Sequence, residues 1–141
     1  MERVILDAGV LIAAERGKIS LSAELRRSND DVCVSAVTAA ELLLGLELAD
    51  GKHRERRQAF IEGVLALVPV EEYTLHVAHA HARLVAHVRR EGRPRGAHDL
   101  IIAATAAATA RTVVTLDAKA RFGDLPGVQA RDLDASASAS S

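Results

Sequence analysis

Residues 97–117 read AHDLIIAATAAATARTVVTLD, and this stretch decides the fold class. Residues 97–110 are almost entirely Ala, Ile, Leu and Thr, which predicts a helix buried nearly all round. Thr112 to Leu116 is rich in β-branched residues and lacks an alternating polar face. That predicts a strand covered on both sides, as in a parallel sheet. Asp99 stands in the first turn of the helix, and Asp117 directly follows the strand.

The rest of the chain repeats the alternation. Val4 to Leu6 and Val32 to Val34 are short apolar runs of strand type, and Val128 to Ala130 is a weaker fourth. Helical patterns run from Thr38 to Ala49, His53 to Val68 and Thr74 to Arg90. Strands alternating with helices in one short chain predict an α/β fold: a three-layer α/β/α sandwich around a short parallel sheet, joined by right-handed crossovers. Only residues 135–141, ASASASS, are low-complexity. The expected domain is therefore 1–134, followed by a disordered tail.

Composition sets the outer bounds. At 141 residues the chain is the size of one domain, and 49% hydrophobic with 26% charged residues is ordinary for a globular protein. Cys33 is the single cysteine, so an internal disulfide is excluded. The start, MERVILDAGV, has neither the basic head nor the long apolar run of a signal peptide. The longest apolar stretch, between Asp99 and Arg111, is too short to span a bilayer, which takes about 20 residues. The expectation is a soluble, cytoplasmic protein without a membrane partner.

The placement of acids carries the chemistry. Asp7 and Asp117 each follow a predicted strand, and in open parallel sheets ligands bind beyond the carboxyl ends of strands. Asp99 and Glu41 arrive on helices, each among apolar neighbours. Each acid also has a structural role open to it. Asp7 can cap a helix beginning near Ala8, and Thr38-Ala-Ala-Glu41 fits a capping box. Asp99 suits the positive end of a helix, and Asp117 suits a turn. Taken together, four acids gathered on one sheet edge repel one another unless a cation sits among them. Carboxylate oxygens without a Cys or His cluster match Mg²⁺ or Mn²⁺, the usual equipment for phosphodiester hydrolysis.

The same residues carry a family resemblance. Val4 to Ile12, VILDAGVLI, resembles the opening of a PIN domain, and Ser35 to Gly45, SAVTAAELLLG, resembles its second motif. HDLIIAA at 98–104 resembles the third and VTLD at 114–117 the fourth. In its short length the chain resembles the VapC toxins of toxin–antitoxin pairs. The resemblance implies a metal-dependent endoribonuclease with Asp7, Glu41, Asp99 and Asp117 as both catalytic residues and ligands to Mg²⁺ (or Mn²⁺). It implies a structured RNA such as tRNA or rRNA as substrate, a homodimer, and a VapB-type antitoxin as the protein partner. Thr115 matches a hydroxyl residue that supports the metal ligands. Ala8 and Gly9 stand where relatives carry hydroxyl or amide residues, and Lys119 stands where many carry a further acid. These departures leave a non-catalytic PIN-like module that binds RNA or protein as the alternative. A phosphate-accepting fold is disfavoured, because residues 8 and 9 supply no second acid.

Net charge is −1, but basic residues cluster. Arg93 and Arg95 lie in the Gly/Pro-broken loop that leads into Asp99, where cations offset the acids that would otherwise repel RNA, so both are read as RNA contacts. Lys52, Arg54, Arg56 and Arg57 are read as a solvated helix face. His76, His79 and His87 share a helix stripe with Arg83, which argues against zinc there. Aromatic residues are 2%, so phosphate contacts and RNA shape are expected to outweigh stacking.

Overall fold

In a computed structural model, which describes residues 1–116 and 121–133, five strands form one sheet in the order β3-β2-β1-β4-β5. All four strand pairings are parallel. The strands are β1 (Arg3–Leu6), β2 (Asp31–Ser35), β3 (Val70–Glu71), β4 (Thr112–Thr115) and β5 (Gln129–Asp132). The helices are α1 (Ala8–Glu15), α2 (Leu21–Ser28), α3 (Ala36–Leu48), α4 (Gly51–Leu67), α5 (Leu75–Glu91) and α6 (Ala97–Ala108). The low-complexity stretch 135–141, and with it the expected domain end at 134, lies outside the described residues, as do Asp117 and Lys119.

Alternate residues of each central strand enter different cores, as the period of two requires. Ile5, Cys33 and Val113 pack with α5 and α6, through Val77, Leu84, Ile102 and Ala103. Val4, Leu6, Val34 and Val114 pack with α1 and α4, through Val10, Leu11, Val64 and Val68. Helices therefore cover both faces, and the expected three-layer α/β/α architecture is what the chain adopts. The α6 prediction holds in detail: Leu100 and all five residues from Ile102 to Ala106 are buried.

Several boundaries differ from the sequence expectation. α3 begins at Ala36 because Ser35 caps it, its Oγ accepting from the Thr38 amide at 3.2 Å. β3 is only two residues long, and α2 has no fully buried residue, so neither produces a strong periodic signal. α5 ends at Gly92, whose φ of +66° is the left-handed conformation that glycine adopts without a Cβ penalty. The Arg93 amide then bonds back to the Val88 carbonyl, turning the chain toward α6.

The sheet order makes β1 central. The chain moves outward from β1 to β2 and β3, then returns to place β4 on the other side of β1. The gap between the carboxyl ends of β1 and β4 is therefore the topological switch point, where such sheets bind ligands. No helix among the described residues is long and apolar enough to cross a membrane.

Candidate active site

Asp7 stands directly beyond β1, at this switch point. It is 7% exposed, well inside the range of buried residues. Its amide donates to the Val114 carbonyl at 2.9 Å, which extends the β1–β4 pairing by one residue. Asp7 occupies the N-cap position of α1, yet its side chain makes no capping hydrogen bond. Instead Oδ2 accepts from Thr115 Oγ1 at 3.0 Å. The helix-cap role open to Asp7 thus describes its backbone and not its carboxylate. Thr115, the donor of that bond, is itself buried.

Glu41 lies six residues into α3 and takes no part in a capping box, because Ser35 performs that function. Its Oε1 is 2.6 Å from His98 Nδ1. A carboxylate can only accept, so the imidazole donates. This contact ties α3 to the first turn of α6, where His98 immediately precedes Asp99. Asp99 is half-buried, and a Cβ at Gly96 would stand 3.5 Å from its Oδ2, so its carboxylate folds back over the start of α6.

The switch point therefore gathers Asp7 and Thr115 directly and sets the Glu41–His98 pair beside Asp99. Glu41 also lines one cavity, of about 190 Å³, with Ala8, the neighbour of Asp7. Ala8 and Gly9 place no hydroxyl or amide there. Asp117 lies outside the described residues, and among these no three potential ligands stand close enough together to hold an ion. The donor chemistry nevertheless fits a hard cation, since Asp7, Glu41 and Asp99 offer carboxylate oxygens.

Sequence reasoning gave His98 no defined role. Its contact with Glu41 spans 57 residues, and no local pattern signals it. Arg95 Nη1 donates to the Arg121 carbonyl at 3.0 Å, so the loop before α6 is tied to the segment after β4. Arg93 and Arg95 both line a cavity of about 240 Å³ with His87, Glu91, Arg121 and Asp124. The histidines of α5 form no metal cluster among the described residues. His87 faces Glu91 at 3.4 Å, and His81 bonds to the Tyr73 hydroxyl.

A parallel sheet whose strand order reverses between β1 and β4, with Asp7 at that switch point, defines an open α/β class with its site beyond the carboxyl ends of the strands. The chain belongs to the PIN-domain family, whose model matches residues 4–126. Within that family its relatives are ribonucleases. It is 32% identical over 117 residues to "Ribonuclease VapC" of Rickettsia bellii, covering 82% of this chain and 86% of that protein. It is 29% identical over 133 residues to the "tRNA(fMet)-specific endonuclease VapC" of Shigella flexneri, covering 94% of this chain and 98% of that one. Among solved structures it resembles the DNA-bound VapBC complex of Salmonella typhimurium, with a TM-score of 0.82 and 27% identity. That match covers 94% of this chain and 98% of that chain.

Proposed function

We propose that this chain is a divalent-metal-dependent endoribonuclease and the toxin of a toxin–antitoxin pair. In this reading it hydrolyses phosphodiester bonds of a structured RNA and is restrained by a VapB-type antitoxin. The observation that carries the reading is the Asp7–Thr115 bond across the switch point; the Glu41–His98 contact, which joins α3 to the start of α6 where Asp99 lies, supports it. Likeness to ribonucleases, one of them named for tRNA(fMet), supports RNA as substrate. Likeness to a VapBC complex supports the antitoxin partner.

Asp7, Glu41 and Asp99, with Asp117 from outside the described residues, would hold Mg²⁺ or Mn²⁺. When bound, the cation supplies Lewis acidity and charge neutralisation for hydrolysis. The protein's own part is to fix the carboxylates. Thr115 orients Asp7, and His98 holds Glu41 against α6. Burial of Asp7 keeps water from loosening that arrangement. Arg93 and Arg95 offset the acids' repulsion of the RNA backbone.

The test is cleavage of total cellular RNA with and without Mg²⁺, beside Asp7→Ala and Asp99→Ala. The expected result is cleavage that needs the metal and falls at least 100-fold in either variant. Equal cleavage by the variants overturns the site assignment. Relief of growth arrest by Asp99→Asn, in a host lacking the antitoxin, tests the toxin reading separately.

A further inference from the structure

The geometry points to an RNA path that leaves the acidic site between α1 and α3 and ends in a cationic basin formed by Arg16, His53 and Arg56. The proposal rests on the ribonuclease reading and adds the route of the strand.

Two cavities carry it. The first, of about 190 Å³, begins at Glu41 and has Ala8, Ile12, Leu42 and Gly45 in its walls. The second, of about 430 Å³, is lined by Arg16, His53 and Arg56. Glu15, Arg16 and Arg57 line both, so the two adjoin across these side chains. Arg57 and Glu15 form a two-pronged ion pair at 2.9 and 3.0 Å, which makes the junction a neutral wall. Beyond it, Arg16 and Arg56 are exposed and form no ion pair among the described residues.

The charge changes along this groove in the order a bound strand requires. Its inner end is acidic, suited to a scissile phosphate neutralised by a cation. Its middle is apolar, with Ile12 39% exposed, which suits a sugar or base face. Its outer end presents unpaired guanidiniums, which suit phosphates. Arg56 and Arg57, read from sequence as part of a solvated helix face, thus line the outer cavity beside the one that Glu41 lines.

The experiment measures binding of a fluorescein-labelled 16-nucleotide single-stranded RNA over a range of salt concentrations. The Asp99→Asn background keeps the probe intact. Each phosphate contact to a single strand contributes about 0.7 to the slope of log affinity against log salt. Arg16→Ala with Arg56→Ala should therefore shrink that slope by about 1.4. Arg26→Ala with Arg83→Ala, which removes the same charge elsewhere, should leave it unchanged. Circular dichroism checks that both pairs fold. Equal slope losses in the two pairs, or none in the first, overturn the groove while leaving the ribonuclease reading intact. A parent chain that neither binds nor cleaves RNA overturns both. If the first pair keeps the RNA slope but loses the antitoxin, the groove belongs to the protein partner and the RNA path is overturned.

Discussion

A buried carboxylate needs partners, and Asp7 takes one from the neighbouring strand through Thr115 Oγ1. Thr115→Val keeps the side chain's shape and removes the donor. Loss of a hydrogen bond to a charged group costs about 1.5–3 kcal/mol, so the variant should be less stable by about that amount in chemical denaturation. Removing a group that orients a metal ligand commonly costs about 10–100-fold in metal affinity, so Mn²⁺ binding measured by calorimetry should weaken within that range. Thr115→Ser should restore both. A valine variant that matches the parent in both measurements would remove Thr115 from the site. At this scale the sequence was partly legible. Asp7 and Asp99 stood out because each is an acid at an element end among apolar neighbours. The partners of Asp7 and Glu41 did not, because they lie 108 and 57 residues away and only folding brings them close. Thr115 was found through resemblance alone, and His98 received no assignment.

Elements hold these residues in place, and α3 shows how. Gly45 lies one turn beyond Glu41, and a Cβ there would meet Arg57 Nη1 at 2.6 Å. The glycine therefore lets the Arg57 side chain cross α3 to reach Glu15 on α1. Inside a helix, alanine is favoured over glycine by about 1 kcal/mol. Half of that advantage or more should vanish in Gly45→Ala, because the guanidinium must move off Glu15, and a partly exposed pair of this kind contributes up to about 1 kcal/mol. In an Arg57→Ala background the same change should give the full stabilisation. A double-mutant cycle followed by urea denaturation reads the difference as a coupling, and a coupling of zero would show that the two positions are independent. The glycine was visible in the sequence as part of a motif, but its reason was not, since Arg57 arrives from α4. The same limit explains the missed elements. α2 has a polar sequence with no fully buried residue, and β3 is two residues long, so neither offers the periodicity on which sequence reading depends.

On the scale of the whole molecule, the parallel alternation of strands and helices was legible because strands buried on both faces lose their polar alternation. The strand order was not, because nothing local records which side of β1 receives β4. That order creates the switch point, and it also gives the sheet a second edge with a different task. There Arg111, before β4, donates through Nη1 to the carbonyls of Val4 and Asp31 at 3.0 and 2.8 Å. Its Nη2 lies 3.3 Å from Glu71 Oε1. One guanidinium thus links β1, β2 and β3 at a distance from the acids. Cys33, in the middle of β2, is fully buried. Burial pushes its thiol from an ordinary value of 9.0 up to about 12, with nearby Arg111 opposing the shift. Between these values the unfolded chain has lost the thiol proton while the folded chain keeps it. Unfolding therefore releases a proton, and stability must fall as pH rises, by at most about 1.4 kcal/mol per pH unit from this group. The contribution is intact below about pH 9 and is lost progressively toward about pH 12. Lysine and tyrosine titrate in the same window, so the informative quantity is the difference between the parent and Cys33→Ala. The alanine variant should be less stable at pH 8, since it opens a small cavity. The gap should then narrow as pH rises above 9. A gap that stays constant to pH 10.5 would mean that the thiol ionises in the folded protein as readily as in the unfolded chain, and that this edge of the sheet is open to water.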